Sequence, residues 1–326
     1  MKTFSSKQPF TLEAGGVLPE LQVAYHTYGT LNAAGDNVVW VCHALTGNSD
    51  AAVWWSGLVG NGRVINPERH FIVCANMIGS CYGSTPATSA TSPLITIRDQ
   101  VRAFIELRKH LGMSTIGTII GGSMGGQHAL EWTLLEPDVV RSVIAIATNA
   151  KHSPWATALN AAQRMAIEAD PTFHSDAADA GAAGLIAARA IGMISYRTPV
   201  LFNVKQRVED DRFEDYPAES YQRHQGNKLV QRFTAASYYA LTRAMDSHDV
   251  GRGRGSTGAA LRSVRNRMLV IGIDTDLLFP ESEQHFIADM VPGARYRRLT
   301  SAAGHDAFLI DQRKLSIIIN SENILP

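Results

Sequence analysis

The stretch that decides the fold is Gly121-Gly122-Ser123-Met124-Gly125-Gly126. It follows the apolar run 115–120 and opens a segment with a helical pattern over 124–136. A G-x-S-x-G sequence between a strand and a helix is typical of a nucleophile elbow, in which serine occupies a tight turn. The turn crowds the neighbouring backbone, and glycine relieves the crowding because it has no Cβ. The sequence therefore predicts that Ser123 projects its hydroxyl group into a reaction site.

Short apolar runs alternate with amphipathic segments on both sides of this elbow. The pattern predicts an α/β fold with a mostly parallel, doubly wound sheet between helices. Strands are predicted at 37–42, 70–75, 115–120, 142–147, 267–273 and 295–300, and helices at 96–111, 124–136, 281–291 and 307–319. Ligand sites in such sheets lie beyond the carboxyl ends of the strands, where the elbow serine is also expected.

The strand pattern stops near residue 150 and returns at 267. Between these points the Ala-rich and mixed polar segments predict helices, at 157–169, 176–195 and 229–246. We therefore expect a core formed by 1–150 and 256–326, interrupted by a helical insertion over 151–255. An insertion at this place would cover the carboxyl ends of the strands as a lid.

Composition excludes several classes of function for this chain of 326 residues, 45% of them hydrophobic. Lys plus Arg and Asp plus Glu both number 30, and no basic stripe is present, which argues against nucleic-acid binding. Three cysteines without paired spacing favour a reducing compartment over a disulfide framework. No run approaches the roughly 20 apolar residues that span a bilayer, and the N-terminus is polar. We expect a cytoplasmic protein with no membrane partner and no metal or bound cofactor.

A serine hydroxyl is a poor nucleophile at neutral pH and needs a base. His305 follows the last predicted strand and precedes the last predicted helix, where a loop histidine could reach the serine. Asp274 and Asp276 both follow the strand at 267–273, giving the order serine, acid, histidine that accompanies an elbow. Position alone does not choose between these two acids, and either could instead cap a turn or a helix.

An oxyanion hole needs two N–H donors directed at the developing negative charge. One is expected from the backbone of Met124, directly after the serine. The other is expected from Leu45, in the loop His43-Ala44-Leu45-Thr46-Gly47 that follows the strand at 37–42. His43 in the same loop is expected to have a structural role.

These residues resemble the homoserine O-acetyltransferase family, the acyltransferase branch of the α/β hydrolases. The resemblance covers nearly the whole chain and includes the elbow together with 42–47, 127–132, 188–192, 196–197, 224–228, 247–255, 275–280 and 304–309. It implies an α/β-hydrolase fold with a helical lid and a homodimer formed through the insertion. It also implies that Asp276, not Asp274, is the catalytic acid.

The resemblance further implies that Arg189 and Asp306 hold an amino-acid substrate. A zwitterion needs a cation for its carboxylate and an anion for its ammonium group, and the planar fork of arginine suits a carboxylate. Without the resemblance, Arg189 would be interpreted as a surface residue on an Ala-rich helix. Asp306 would be interpreted as the N-cap of the last helix, a role that it could also combine with binding.

The activity that the resemblance implies is transfer of an acetyl group from acetyl-CoA, a co-substrate, to the hydroxyl group of L-homoserine. The acyl group would pass through Ser123, and the product would enter methionine biosynthesis. Succinyl-CoA as donor or L-serine as acceptor remains open, because a methylene contributes only about 1–3 kcal/mol of discrimination. A carboxylesterase that uses water and a non-catalytic binding module are the alternatives from other classes. Arg252 and Arg254 could bind the phosphates of coenzyme A or form ion pairs between core and insertion.

Overall fold

The computed structural model describes all 326 residues and is built on one eight-stranded sheet with the spatial order β1-β4-β6-β5-β7-β8-β9-β10. The strands are β1 (Lys2–Ser6), β2 (Phe10–Thr11), β3 (Val17–Leu18), β4 (Leu21–Tyr28), β5 (Val38–Cys42), β6 (Phe71–Ala75), β7 (Ile116–Gly122), β8 (Val140–Ile146), β9 (Arg267–Ile273) and β10 (Arg295–Leu299). The six strands from β6 to β10 in this order pair in parallel. Strand β4 pairs antiparallel with β6 and with β1 at one edge, and β2 and β3 form a separate hairpin.

Helices cover both faces of the sheet. They are α1 (Ala51–Trp54), α2 (Ile97–His110), α3 (Met124–Leu135), α4 (Pro154–Glu168), α5 (Ala182–Tyr196), α6 (Pro199–Lys205), α7 (Pro217–Val230), α8 (Ala235–Asp246), α9 (Thr257–Arg262), α10 (Glu281–Met290), α11 (Ala307–Ile310) and α12 (Gln312–Ser321). Neighbouring residues of β5 point into different cores: Trp40 packs with Phe104 of α2 and Trp132 of α3, whereas Val41 belongs to the core that includes Leu315 of α12. The predicted mostly parallel, doubly wound α/β fold is confirmed.

The six predicted strands are all present, with ends within two residues of the predicted bounds. Three predicted helices differ from the structure. The helix predicted at 307–319 is interrupted at Asp311, between α11 and α12. The helix predicted at 229–246 is two helices, α7 and α8, since Thr234 starts α8 by accepting a hydrogen bond from the backbone of Ser237. The helix predicted at 176–195 begins only after Gly181, whose φ of 76° is left-handed.

Six helices, α4 to α9, lie between β8 and β9, the first five of them within 151–255, and no strand of the sheet comes from this part of the chain. The bridge between Lys151 and Asp249 joins the two ends of the segment. Helix α5 packs against α4 and α7 and also contacts the 3₁₀ turn Gly304–Asp306 after β10. No single helix in the chain is long and apolar enough to cross a membrane; α5 and α6 pass that test only as a pair bent by 113°.

A network of ion pairs binds the loop at 249–255 to the core. Arg254 contacts the almost fully buried Glu131 of α3 at 2.7 Å, and Arg98 of α2 contacts the same carboxylate at 2.6 Å. Arg252 pairs with Glu13 at 3.0 Å, and Glu13 also pairs with Arg98. Both arginines of the loop therefore have carboxylate partners, as the ion-pair interpretation of the sequence proposed.

Four of the five buried histidines outside the reaction site suggested by the sequence have strongly lowered pKa values. Burial lowers the pKa of His43 and of His152 to about 4 and that of His248 to about 3. Burial, with the neighbouring His43 and His248, also holds the pKa of His128 well below its ordinary value. Folding therefore keeps these four side chains neutral.

We expect the protein to lose stability as the pH falls from about 6.5 to about 4. In that window these histidines bind protons in the unfolded chain but stay neutral in the folded protein, so protonation favours unfolding. Their contribution to stability is fully present only above about pH 6.5. Thermal unfolding midpoints measured from pH 8 to pH 4.5 should fall steeply below pH 6.5. His128→Gln should flatten this dependence, and replacement of the exposed His224 should not. A midpoint that is constant down to pH 4.5 would contradict the assignment.

Candidate active site

Ser123 lies on the turn between β7 and α3, and its backbone is left-handed, with a φ of 57° and a ψ of −126°. The crowding expected from the glycines is present. A Cβ on Gly125 would lie closer than 3.0 Å to the carbonyl oxygen of Cys42, and one on Gly121 would lie as close to the carbonyl oxygen of Gly125. Such contacts do not occur in real side chains, so both positions require glycine. The strained turn thus depends on the G-x-S-x-G sequence.

The structure brings Ser123, His305 and Asp276 together in one chain of hydrogen bonds. The Oγ atom of Ser123 lies 2.8 Å from Nε2 of His305, and Nδ1 of His305 lies 2.6 Å from Oδ2 of Asp276. All three side chains are buried, and they follow β7, β10 and β9 respectively, at the carboxyl ends of parallel strands. The geometry is that of a nucleophile, a base and an orienting acid.

The two candidate acids have different partners. Oδ1 of Asp276 accepts hydrogen bonds from the backbone N–H groups of Leu278 at 2.8 Å and Phe279 at 2.9 Å, which leaves Oδ2 for His305. Asp274 is exposed, and its Oδ1 accepts instead from the backbone N–H of Ser301 at 3.1 Å. Asp276 is therefore the acid that contacts the histidine. Asp274 instead holds the loop at Ser301 that leads to His305.

His305 is held in place by aromatic contacts and by charge. Its ring meets those of Phe279 and Phe308 edge to face, with centroids 5.3 and 5.7 Å away. Burial lowers the pKa of His305, but the charge and hydrogen bond of Asp276, with a smaller contribution from Asp306, outweigh it and raise the pKa above 6.5. An ionised carboxylate only accepts hydrogen bonds, so Nδ1 carries the proton and Nε2 is free to accept one from Ser123.

The two backbone donors expected for an oxyanion hole are available. Met124 is the first residue of α3, so its N–H has no acceptor within the helix. The N–H of Leu45 makes no hydrogen bond within the protein, and Leu45 lines the same cavity as Ser123. His43 is buried, and its Nδ1 lies 2.9 Å from the carbonyl oxygen of Ala44. It thus supports the loop that carries Leu45.

A cavity of about 470 Å³ lies over Ser123, between the core and the helices of 151–255. Arg189 of α5 lines it, with its guanidinium 5.5 Å from the centre of the Tyr196 ring and with no ion pair. Asp306 lines it too, and its Oδ2 lies 3.1 Å from Nη2 of Arg197. Asp306 occupies the N-cap position of α11, as expected, but its side chain makes no capping hydrogen bond.

Sequence reasoning did not single out two polar residues of α4 that line this cavity, or Arg197 beside it. Arg197, the partner of Asp306, was visible only as part of the pair 196–197 in the family resemblance. Asn160 and Gln163 line the cavity from α4 and are fixed by Asp246 and by the hydroxyl group of Tyr238, respectively. No sequence signal distinguishes them from other polar residues on a helix.

Comparison with known proteins gives consistent results. Residues 37–312 match a family model described as alpha/beta hydrolase fold. A homoserine O-acetyltransferase from Cyclobacterium marinum is 46% identical over 98% of this chain and 93% of its own length. One from Trichormus variabilis is 46% identical over 96% of this chain and 91% of its own.

Solved structures of two kinds share the fold. The crystal structure of a homoserine O-acetyltransferase from Staphylococcus aureus is 27% identical, with a TM-score of 0.83, over 98% of this chain and 94% of that one. The crystal structure of esterase E22 is 22% identical, with a TM-score of 0.89, over 100% of this chain and 99% of that one. The fold is therefore shared by proteins named as transferases and as esterases, and fold alone does not decide between these activities.

Proposed function

Because this chain belongs to the homoserine O-acetyltransferase family of the α/β hydrolases, we propose that it transfers an acetyl group from acetyl-CoA to the hydroxyl group of L-homoserine. The observation that carries the proposal is the cavity in which Ser123 and His305 face an unpaired arginine and an aspartate. Hydrolysis of a simple ester by water would need neither the arginine nor the aspartate. An amino acid as acceptor needs both, because it carries a carboxylate and an ammonium group.

In the first half-reaction, Ser123 attacks the thioester carbonyl while Nε2 of His305 accepts its proton. Asp276 keeps the imidazole in the required tautomer and stabilises its cation. The N–H groups of Leu45 and Met124 stabilise the oxyanion of the tetrahedral intermediate. When the carbon–sulfur bond breaks, His305 returns the proton to the departing thiolate. Free coenzyme A and an acetyl ester on Ser123 result.

In the second half-reaction, His305 takes the proton from the hydroxyl group of L-homoserine. The resulting oxygen nucleophile attacks the acetyl-serine, and the same two N–H donors stabilise the second oxyanion. Collapse of this intermediate breaks the bond to Ser123, whose oxygen recovers the proton from His305. O-Acetylhomoserine leaves, and the enzyme returns to its starting state.

Two charged side chains support L-homoserine as the acceptor. Arg189 has no carboxylate partner within the protein and can offer its fork to the substrate carboxylate. Asp306 lies next to His305 in sequence and can accept from the substrate ammonium group. Binding the two charged groups at these positions would fix the hydroxyl group close to the acyl-serine. Succinyl-CoA and L-serine remain the nearest alternative substrates.

The remaining expectations are part of the same proposal. Residues 151–255 would act as a lid that limits the access of water to the acyl-serine on the core of 1–150 and 256–326. The enzyme would use no metal or cofactor and would work in the cytoplasm, in methionine biosynthesis, without membrane or nucleic-acid partners. The exposed apolar side chains of Ile194, Val200 and Val204 on α5 and α6 support a homodimer through the lid.

We expect release of coenzyme A from acetyl-CoA to be slow alone and to accelerate strongly when L-homoserine is added. Arg189→Ala should raise the KM for L-homoserine by about 10- to 100-fold, because a hydrogen bond to a charged group contributes about 1.5–3 kcal/mol. Formation of the acyl-enzyme should change much less. The measurement is thiol release with and without L-homoserine.

The matched control is Arg223→Ala, which removes an exposed arginine of α7 whose partner is Glu219. This variant should behave as the wild type. Equal rates of thiol release with and without L-homoserine in the wild type would identify water as the acceptor, and the esterase alternative would replace the proposal.

A further inference from the structure

Arg232 and Lys228 place positive charge on the wall of the cavity without a negative partner. Nη1 of Arg232 donates to the carbonyl oxygen of Thr46 at 2.6 Å and to the hydroxyl group of Tyr82 at 2.8 Å. Both acceptors are neutral, so they fix the guanidinium without compensating its charge. Lys228 lies four residues earlier, near the end of α7, and its side chain makes no ion pair or hydrogen bond.

The charges around the cavity do not balance. Its lining contains three cations, Arg189, Lys228 and Arg232, and one acid, Asp306. That acid already has a cationic partner in Arg197. The chain as a whole has a formal net charge of zero, so this positive excess is local. A cavity lined by one sign of charge attracts ligands of the opposite sign.

Burial divides the cavity into an inner and an outer end. Ser123 and His305 are only 5% and 3% exposed, whereas Lys228 and Arg232 are exposed to solvent. A ligand that fits this distribution is extended, with an uncharged reactive group at the inner end and anionic groups at the outer end. An acyl-CoA has this arrangement, because its phosphates lie at the opposite end from its thioester.

We propose that Arg232, together with Lys228, binds the phosphate groups of the acyl donor at the outer end of the cavity. The proposal rests on the proposed function. The planar fork of Arg232 retains free N–H groups for phosphate oxygens, and Lys228 adds a mobile point charge. Arg252 and Arg254, the candidates raised by the sequence, are held in ion pairs with Glu13 and Glu131.

The hydrogen bond between Arg232 and Thr46 gives a second reason to expect an effect on catalysis. Thr46 follows Leu45, which supplies the expected oxyanion donor, so removal of Arg232 could disturb that loop. A structural effect of this kind would lower activity with every thioester. Loss of phosphate binding would lower activity only with donors that carry phosphates, and the comparison of two donors therefore separates the two roles.

The experiment compares acetyl-CoA with S-acetyl-N-acetylcysteamine, a thioester without phosphates, at saturating L-homoserine. For Arg232→Gln the ratio of kcat/KM for acetyl-CoA to kcat/KM for the small donor should fall about 10- to 100-fold. Lys228→Gln should lower the same ratio by a smaller factor. Arg223→Gln, on the exposed part of α7, is the control and should leave the ratio unchanged.

Inhibition provides a readout that does not need the small donor to react well. Arg232→Gln should weaken inhibition by free coenzyme A at least tenfold more than inhibition by pantetheine, which lacks the phosphates. The phosphate site would be overturned if Arg232→Gln changed neither the ratio of kcat/KM for the two donors nor the relative inhibition by coenzyme A and pantetheine. A variant in which only the KM for L-homoserine rises would overturn it as well. Wild-type enzyme that transfers acetyl groups to L-homoserine from neither donor would instead refute the proposed function.

Discussion

Ser123→Ala should abolish acyl transfer, with a loss in kcat of roughly a millionfold, the order found when the nucleophile of a serine protease triad is removed. The large effect follows from the geometry, since the Oγ atom of Ser123 is the one nucleophile within hydrogen-bond reach of Nε2 of His305. Without it, neither the acyl-enzyme nor the proton transfer that forms it can occur. The measurement is O-acetylhomoserine formation at saturating substrates.

The fold of this variant should be intact. Alanine retains the Cβ of serine, so it adds no steric strain at the left-handed φ of the elbow. The lost hydrogen bond to His305 is one among many, and the thermal unfolding midpoint should stay within a few degrees of the wild type. Appreciable activity in a correctly folded Ser123→Ala protein would show that another group is the nucleophile.

Asp276→Asn should lower kcat by about 10⁴-fold, as the corresponding change does in a serine protease. The asparagine oxygen can still accept from the backbone N–H groups of Leu278 and Phe279, which directs its NH₂ group at His305. Nδ1 would then have to accept, and Nε2 would carry the proton instead of receiving the one from Ser123. The base would be in the wrong tautomer.

Asp274→Asn is the matched control, two residues earlier on the same loop. Asparagine can keep the hydrogen bond that Oδ1 of Asp274 accepts from Ser301, so activity should stay close to that of the wild type. Equal losses in the two variants would leave the choice of Asp276 without support.

The pH profile separates an electrostatic effect from a structural one. The acid limb of the wild-type rate reports protonation of His305. Burial lowers the pKa of this histidine, and Asp276 makes the main contribution that raises it. Removing that carboxylate charge leaves burial opposed only by the smaller contribution of Asp306, so the acid limb of Asp276→Asn should move to lower pH. A variant that is only disordered would lose rate without this shift.

The core and the reacting residues were predictable because their sequence signals are local. Strands buried on both faces appear as unbroken apolar runs, and β5, β7 and β9 are of this kind. The elbow combines a strand, a helix and glycines that are required because a Cβ at their positions would clash with the backbone. The resemblance to the homoserine O-acetyltransferase family, which the relatives confirm, added the choice between the two acids.

Other features depend on contacts that the sequence does not display. Strand β1 is a polar, half-exposed edge that exists because it pairs with β4. The break between α7 and α8 is marked by a single threonine cap, which the helical pattern around it obscured. Arg197 and Arg232 gain their importance from their partners in space, Asp306 and the carbonyl oxygen of Thr46.

The most direct test of the central claim is mass spectrometry of the enzyme mixed with acetyl-CoA, followed by a chase. We expect one acetyl group on the peptide that contains Ser123, and none in the Ser123→Ala protein. Addition of L-homoserine should remove the group and yield O-acetylhomoserine, while buffer alone or L-serine should remove it far more slowly. An acetyl group on another residue, or an adduct that L-homoserine discharges no faster than buffer does, would contradict transfer through Ser123.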